Sequence, residues 1–172
     1  AKYYNDTGLL DFFGVVGSGC DTHNTLANVI PNMSYPPEPF LHLAAGIKEV
    51  VDVPVIHAQN IKDPNQAKRI LEAGYVDFVG MTRAHIADPH IIAKIKNDQV
   101  DQIRQCVGAN YCIDRQYMGL DVLCIQNAAT SREHMGMPHI IEKTTGVKRK
   151  VVIVGGGPGG LEAARVAAER GH

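Results

Sequence analysis

Three cysteines, Cys106, Cys112 and Cys124, fall within a stretch of 19 residues beside Gly108, Gly119 and Asn127. Clustered thiolates are soft ligands suited to zinc or to iron–sulfur chemistry, and an irregular glycine-containing loop can aim several sulfurs at one centre. The competing reading is three small apolar side chains buried in a core. A second constellation is Gly155-Gly156-Gly157-Pro158-Gly159-Gly160, which satisfies Gly-x-Gly-x-x-Gly between the apolar run Val151-Val152-Ile153-Val154 and an alanine-rich segment. There Gly155 allows a tight turn, Gly157 lets the backbone approach a pyrophosphate, and Gly160 lets a helix pack closely on a strand while its N–H groups face the anion. The expected ligand is FAD, NAD(P) or ADP; the acidic position that would separate them falls beyond His172. A third group, Ser18-Gly19-Cys20-Asp21-Thr22-His23, carries hydroxyl, thiol, carboxylate and imidazole groups placed to line a substrate pocket. Its spacing defines no nucleophile–base set, and nothing brings Cys20 to the other thiols.

Alternating short strands and amphipathic helices must position these groups, which predicts α/β architecture with parallel strands. Strands are expected at 12–17, 53–58 and 77–81. Helices are expected at 37–51, with Phe40, Leu41, Ala44, Ala45, Ile47 and Val51 inward, and after Asp63-Pro64, with Ala67, Ile70 and Leu71 inward. Asp followed by Pro reads as an N-cap and first helical residue, and Gly74 as the stop. A further Asp-Pro pair at 88–89 opens a helix running to about Lys96. The echo between Gly8-Leu9-Leu10-Asp11-Phe12-Phe13-Gly14 and Gly74-Tyr75-Val76-Asp77-Phe78-Val79-Gly80 is the repeated passage from a helix-ending glycine into a strand. Residues 105–137 read as an irregular insert, 138–150 as a polar linker, and 151–172 as the first βα unit of a nucleotide-binding domain. Pro31 to Pro37 reads as a rigid lid or interface segment. A lone βα unit cannot cover its own strand, so the chain is expected to be an internal piece of a longer polypeptide.

The 172 residues are 45% hydrophobic, with 17 Lys+Arg against 18 Asp+Glu and a formal net charge of -1. That balance excludes global disorder and a dedicated nucleic-acid binder. No apolar run reaches the length of a membrane span, and the first residues lack the pattern of a signal peptide. A cytoplasmic protein with small-molecule partners, and the option of homo-oligomers, is the expectation.

Taken together, Cys106-Val107-Gly108-Ala109-Asn110-Tyr111-Cys112, then Cys124-Ile125-Gln126-Asn127, then the glycine-rich turn, resembles the multidomain NADH:flavin oxidoreductases related to Old Yellow Enzyme, of the trimethylamine dehydrogenase and 2,4-dienoyl-CoA reductase type. The resemblance implies the C-terminal part of an FMN-binding (β/α)8 TIM barrel over 1–104, a four-iron cluster segment, and a Rossmann-like domain. It makes Thr82 and Arg83, in Thr82-Arg83-Ala84-His85-Ile86-Ala87-Asp88-Pro89, and Gln59 and Asn60, in Ala58-Gln59-Asn60-Ile61, candidates for holding the FMN phosphate. For Arg83 taken alone, pairing with Asp88 is the structural alternative. Asn60 stands where many relatives carry Arg, so one cation is lost there. Cys106, Cys112 and Cys124 match three cluster ligands, while Ala109 occupies the place of the fourth. A three-iron cluster, a four-iron cluster completed by another ligand, and a metal-free segment all remain open. The implied activity is FMN-dependent hydride transfer between a small substrate and flavin, with a nicotinamide or an electron-transfer protein as the other partner. Ala109 with Tyr111-Cys112-Ile113-Asp114-Arg115 most resembles the demethylases of N-methylproline and proline betaine. The rival expectation is a noncatalytic half-barrel serving in assembly, because the residues that would hold a flavin ring and substrate lie on earlier strands.

Overall fold

A computed structural model describes residues 1–172 and divides them into two compact units, Ala1–Ser131 and Arg132–His172. The first unit opens with a short helix, α1 (Lys2–Asn5), and strand β1 (Phe13–Val15). Helices α2 (His23–Val29) and α3 (Leu41–Lys48) lead to β2 (Val55–His57), and α4 (Pro64–Glu72) leads to β3 (Phe78–Val79). The three strands form a parallel sheet in the order β1-β2-β3, with Val15 opposite His57 and His57 opposite Val79. Alternate residues on a strand face opposite sides. Phe13, Val15, Val55 and Val79 therefore share a face, and they pack with Leu41, Ala44, Ile47, Ala67 and Ile70 in the core. The other face carries Gly14, Ile56 and Phe78, of which Phe78 is exposed.

Local sequence accounts for α4. The Asp63 carboxylate accepts the Asn65 N–H at 3.0 Å, Pro64 occupies the first turn, and Gln66 closes a reciprocal capping box. At the other end Gly74, at φ +70°, donates to Leu71 O and is followed by Tyr75 donating to Ile70 O, the paired bonds of a glycine-terminated helix. Removing the cap with Asp63→Ala should lower stability by about 1 kcal/mol, measurable as a shift in a denaturant midpoint at unchanged slope.

Several expectations need correction. Leu71 is exposed, because one residue past Ile70 is a 100° turn off the buried stripe. The helix expected from Pro37 begins only at Leu41: Glu38 sits at φ +52° before Pro39, and a residue preceding proline avoids the helical region. The segment 18–22 leads into α2, a helix not expected from the sequence: the Thr22 hydroxyl caps it in a reciprocal arrangement with Thr25, and Asp21 accepts from the Thr25 hydroxyl.

After β3 come α5 (Thr82–Ala87), α6 (Ile91–Lys96) and a 3₁₀ turn, Val100–Gln102. The buried Asp88 links them: its carboxylate binds the Lys94 ammonium at 2.5 Å and accepts the N–H groups of His90 and Arg104, each at 3.0 Å. The cysteine stretch contains a helix that its irregular sequence hid, α7 (Tyr111–Tyr117). The chain beyond it is tied to α5 by Asn127 and Thr130, whose side chains both donate to Ile86 O.

In the second unit α8 (Pro158–Glu169) starts inside the glycine-rich run, because Pro is well suited to a first helical position. Val151 to Val154 form no ladder, and Val152 and Val154 are exposed. A parallel strand needs a neighbour to satisfy its backbone, and this single βα unit provides none. Thr144 N–H donates to Arg170 O at 2.9 Å, tying the approach segment to the end of α8.

Candidate functional site

At the C-terminal ends of β2 and β3 two adjacent loops converge. The first contains Gln59 and Asn60, both buried. Gln59 spends its amide on backbone, accepting Gly17 N–H at 3.1 Å and donating to Gly17 O and Asn28 O. Asn60, at φ +55°, donates to Pro36 O at 2.9 Å and accepts from Arg83. The side-chain donors expected of these two residues are thus used within the fold, which leaves their backbone N–H groups as the ones that could meet a ligand. The second loop leads into the short α5, whose first residues are Thr82, exposed, and Arg83, buried.

Arg83 makes three hydrogen bonds, all to neutral acceptors: Nη1 donates to Pro31 O at 2.7 Å and to the Asn110 side-chain oxygen, and Nη2 donates to Asn60 at 3.3 Å. A guanidinium has five N–H donors, so two remain. The pairing with Asp88 is not formed; Asp88 belongs to Lys94. Burial lowers the Arg83 pKa, and the thiols of Cys106 and Cys112 act in the opposite sense. The group stays charged, so a cation is buried at a strand end with no carboxylate beside it. Lys62 lies nearby, its pKa lowered by burial and then by the charge of Arg83, with Cys106 acting the other way. A lone lysine ahead of a helix cap gave no signal in the sequence.

His57 shares the helix-facing side of β2 with Val55 and is fully buried. Its Nδ1 bonds Val15 O at 2.9 Å, and Nε2 has no partner. Burial is the main effect on its pKa and pushes it down, so the imidazole is held neutral.

Cys106, Cys112 and Cys124 line one pocket together with Gly108, Ala109, Asn110, Leu123 and Gln126. None is in a disulfide, and Cys20 is exposed and not among the lining residues. Burial, followed by the neighbouring thiols, pushes the Cys112 thiol above its ordinary pKa. No three His, Cys, Asp or Glu side chains converge closely enough to hold a single ion. Soft donors spread around one pocket fit a polynuclear centre at three corners, and Ala109 lines the same pocket without a donor. The segment is also joined to the strand-end site. Asn110, left-handed at φ +56°, takes the Arg83 bond on its oxygen and donates to Ile30 O at 2.7 Å, while Met33 N–H donates to Gly108 O. Pro31 to Pro37, read from sequence as a lid or interface segment, is anchored by these bonds and by the Asn60 bond to Pro36 O.

In the second unit the glycine-rich turn requires two of its glycines. Gly155 lies at φ +120°, and a Cβ on Gly160 would come within 2.0 Å of Gly155 O. Nothing approaches a Cβ built on Gly157, the N-cap of α8.

The first unit is thus a β/α protein with a parallel sheet, a buried cation at the sheet's C-terminal edge and a three-thiol pocket joined to it. Residues 29–102 of the chain match the NADH:flavin oxidoreductase / NADH oxidase family. The chain is 84% identical over all 172 residues to N,N-dimethylglycine/sarcosine dehydrogenase of Chromohalobacter salexigens. It is 48% identical over its whole length to a Rhizobium meliloti protein described as "Probable N-methylproline demethylase". In both cases it spans 25% of the relative's length. Among solved structures, histamine dehydrogenase from Rhizobium sp. 4-9 superposes with a TM-score of 0.85 at 27% identity, over 99% of this chain and 24% of that one. No helix is long and apolar enough to cross a membrane.

Proposed function

We propose that the chain serves an FMN-dependent oxidoreductase that oxidises an N-methylated amino acid, with β1 to β3 as the last strands of a (β/α)8 barrel and 151–172 as the start of a dinucleotide-binding domain. The observation that carries this reading is the buried Arg83, a guanidinium with no carboxylate partner and two N–H donors to spare at the C-terminal end of a parallel strand. A buried charge needs a counter-charge, and a phosphate matches the planar fork of arginine. In β/α barrels the loops after the last two strands and a short extra helix commonly build a phosphate site. Here those elements are the loops after β2 and β3 and the six-residue α5.

When bound, FMN supplies a two-electron acceptor for hydride from the substrate. The chain's own residues hold it. Pro31 O, Asn60 and Asn110 fix the guanidinium, and the backbone at 59–60 and 82–83 adds N–H donors. The three-thiol pocket is assigned to an iron–sulfur cluster bound through Cys106, Cys112 and Cys124, with its fourth corner at Ala109, and the turn at Gly155, Gly157 and Gly160 to the pyrophosphate of FAD, NAD(P) or ADP. The N-methylated substrate class rests on the dehydrogenase of C. salexigens and the R. meliloti relative. Electrons leave to a nicotinamide or an electron-transfer protein.

The test is made on the full-length protein. Purified parent should release FMN on denaturation, and Arg83→Met should bind FMN at least about tenfold more weakly, the worth of a charge-assisted hydrogen bond. A parent without FMN, or an Arg83→Met variant with unchanged affinity, overturns the assignment.

A further inference from the structure

Lys62 sits in the loop after β2, two residues past Asn60. It makes no ion pair, and its ammonium lies against Gly108, close enough that a Cβ there would meet Nζ at 2.7 Å. Gly108 itself is buried at φ +75°, so the room for Nζ exists because the position lacks a side chain. Arg83 approaches from the loop after β3 and acts on Lys62 through its charge. Two cations, one buried and one half-buried, are thus brought together by neighbouring loops, and neither has a carboxylate. Like charges in a desolvated setting repel, and each also loses hydration. The arrangement becomes favourable when an anion lies between them.

We propose that Lys62 is the second cation of the flavin phosphate site, contributing with Arg83 the charge that a phosphate dianion requires. The inference rests on the FMN reading above. Lys62 acts as a point charge on a flexible stem, complementary to the fixed fork of Arg83. The amides of Gln59 and Asn60 are committed to backbone and to Arg83 and leave this charge to Lys62.

The test compares FMN with riboflavin, which lacks the phosphate, binding to deflavinated full-length protein carrying Lys62→Gln, Lys62→Arg or Arg83→Met. Lys62→Gln should weaken FMN about tenfold and leave riboflavin unmoved, with Lys62→Arg restoring most of the FMN affinity. The FMN loss should also shrink as salt rises. Equal losses for FMN and riboflavin would show a merely structural role and overturn the proposal. Unchanged FMN affinity in Lys62→Gln alongside a loss in Arg83→Met would overturn it while the FMN reading stands. Unchanged affinity in both variants would overturn the two together.

Discussion

Replacing Asp88 with asparagine should cost the first unit about 3 kcal/mol, more than a hundredfold in the ratio of folded to unfolded chain. The carboxylate is 1% exposed and closes three contacts at once, to the Lys94 ammonium and to the N–H groups of His90 and Arg104. An amide can present only one oxygen. Its NH₂ would then face either the His90 N–H or the pair formed by Lys94 and Arg104, donor against donor, and leave a buried group unsatisfied. Burial alone would raise the Asp88 pKa, but Lys94 and the two N–H groups outweigh it and hold the carboxyl below its ordinary value. A depressed folded-state pKa contributes stability that is complete above the unfolded value, about 3.9, and is lost as pH falls through the folded value. Thermal melts of parent and variant should therefore differ most from pH about 5 upward and approach each other in acid. A difference that stays constant from neutral pH down into acid would show that the charge of Asp88 contributes nothing.

Where the physics is local, the sequence was readable. Asp63-Pro64 and Gly74 bracket α4 because cap and stop depend on a few adjacent residues, and Val55 and Ile70 are apolar at the right period. Thr22 and Thr25 also form a capping box, but Thr replaces the Glu or Gln that usually marks one, and α2 went unread. The polar helix α7 follows an asparagine in left-handed geometry, which no periodicity announces. The candidate site was legible as residue types and opaque as contacts. Arg83 stood out, yet its partners Pro31, Asn60 and Asn110 lie 52, 23 and 27 residues away. Lys62 had no signal at all, because what gives it meaning is a glycine at 108 and an arginine at 83. Val151 to Val154 read as a strand from composition, but a strand is a relation to a neighbour and composition carries none.

Ala109→Cys is expected to make the full-length protein hold iron more firmly than the parent does. Ala109 lines the same pocket as Cys106, Cys112 and Cys124, so a cysteine there brings a fourth thiolate to the corner that lacks one. Each ligand to a metal centre has to be deprotonated and held, and a preformed fourth donor lowers the cost of keeping the last iron in place. Anaerobically prepared Ala109→Cys should lose iron to a chelator about tenfold more slowly than parent, with a low-temperature EPR spectrum distinct from the parent's. Cys112→Ser supplies the opposite arm: it withdraws the buried thiol of the pocket and should leave little iron in either background. If parent, Ala109→Cys and Cys112→Ser all contain none, the thiols hold no cluster, and the segment's part in the protein reduces to the grip that Asn110 keeps on Arg83.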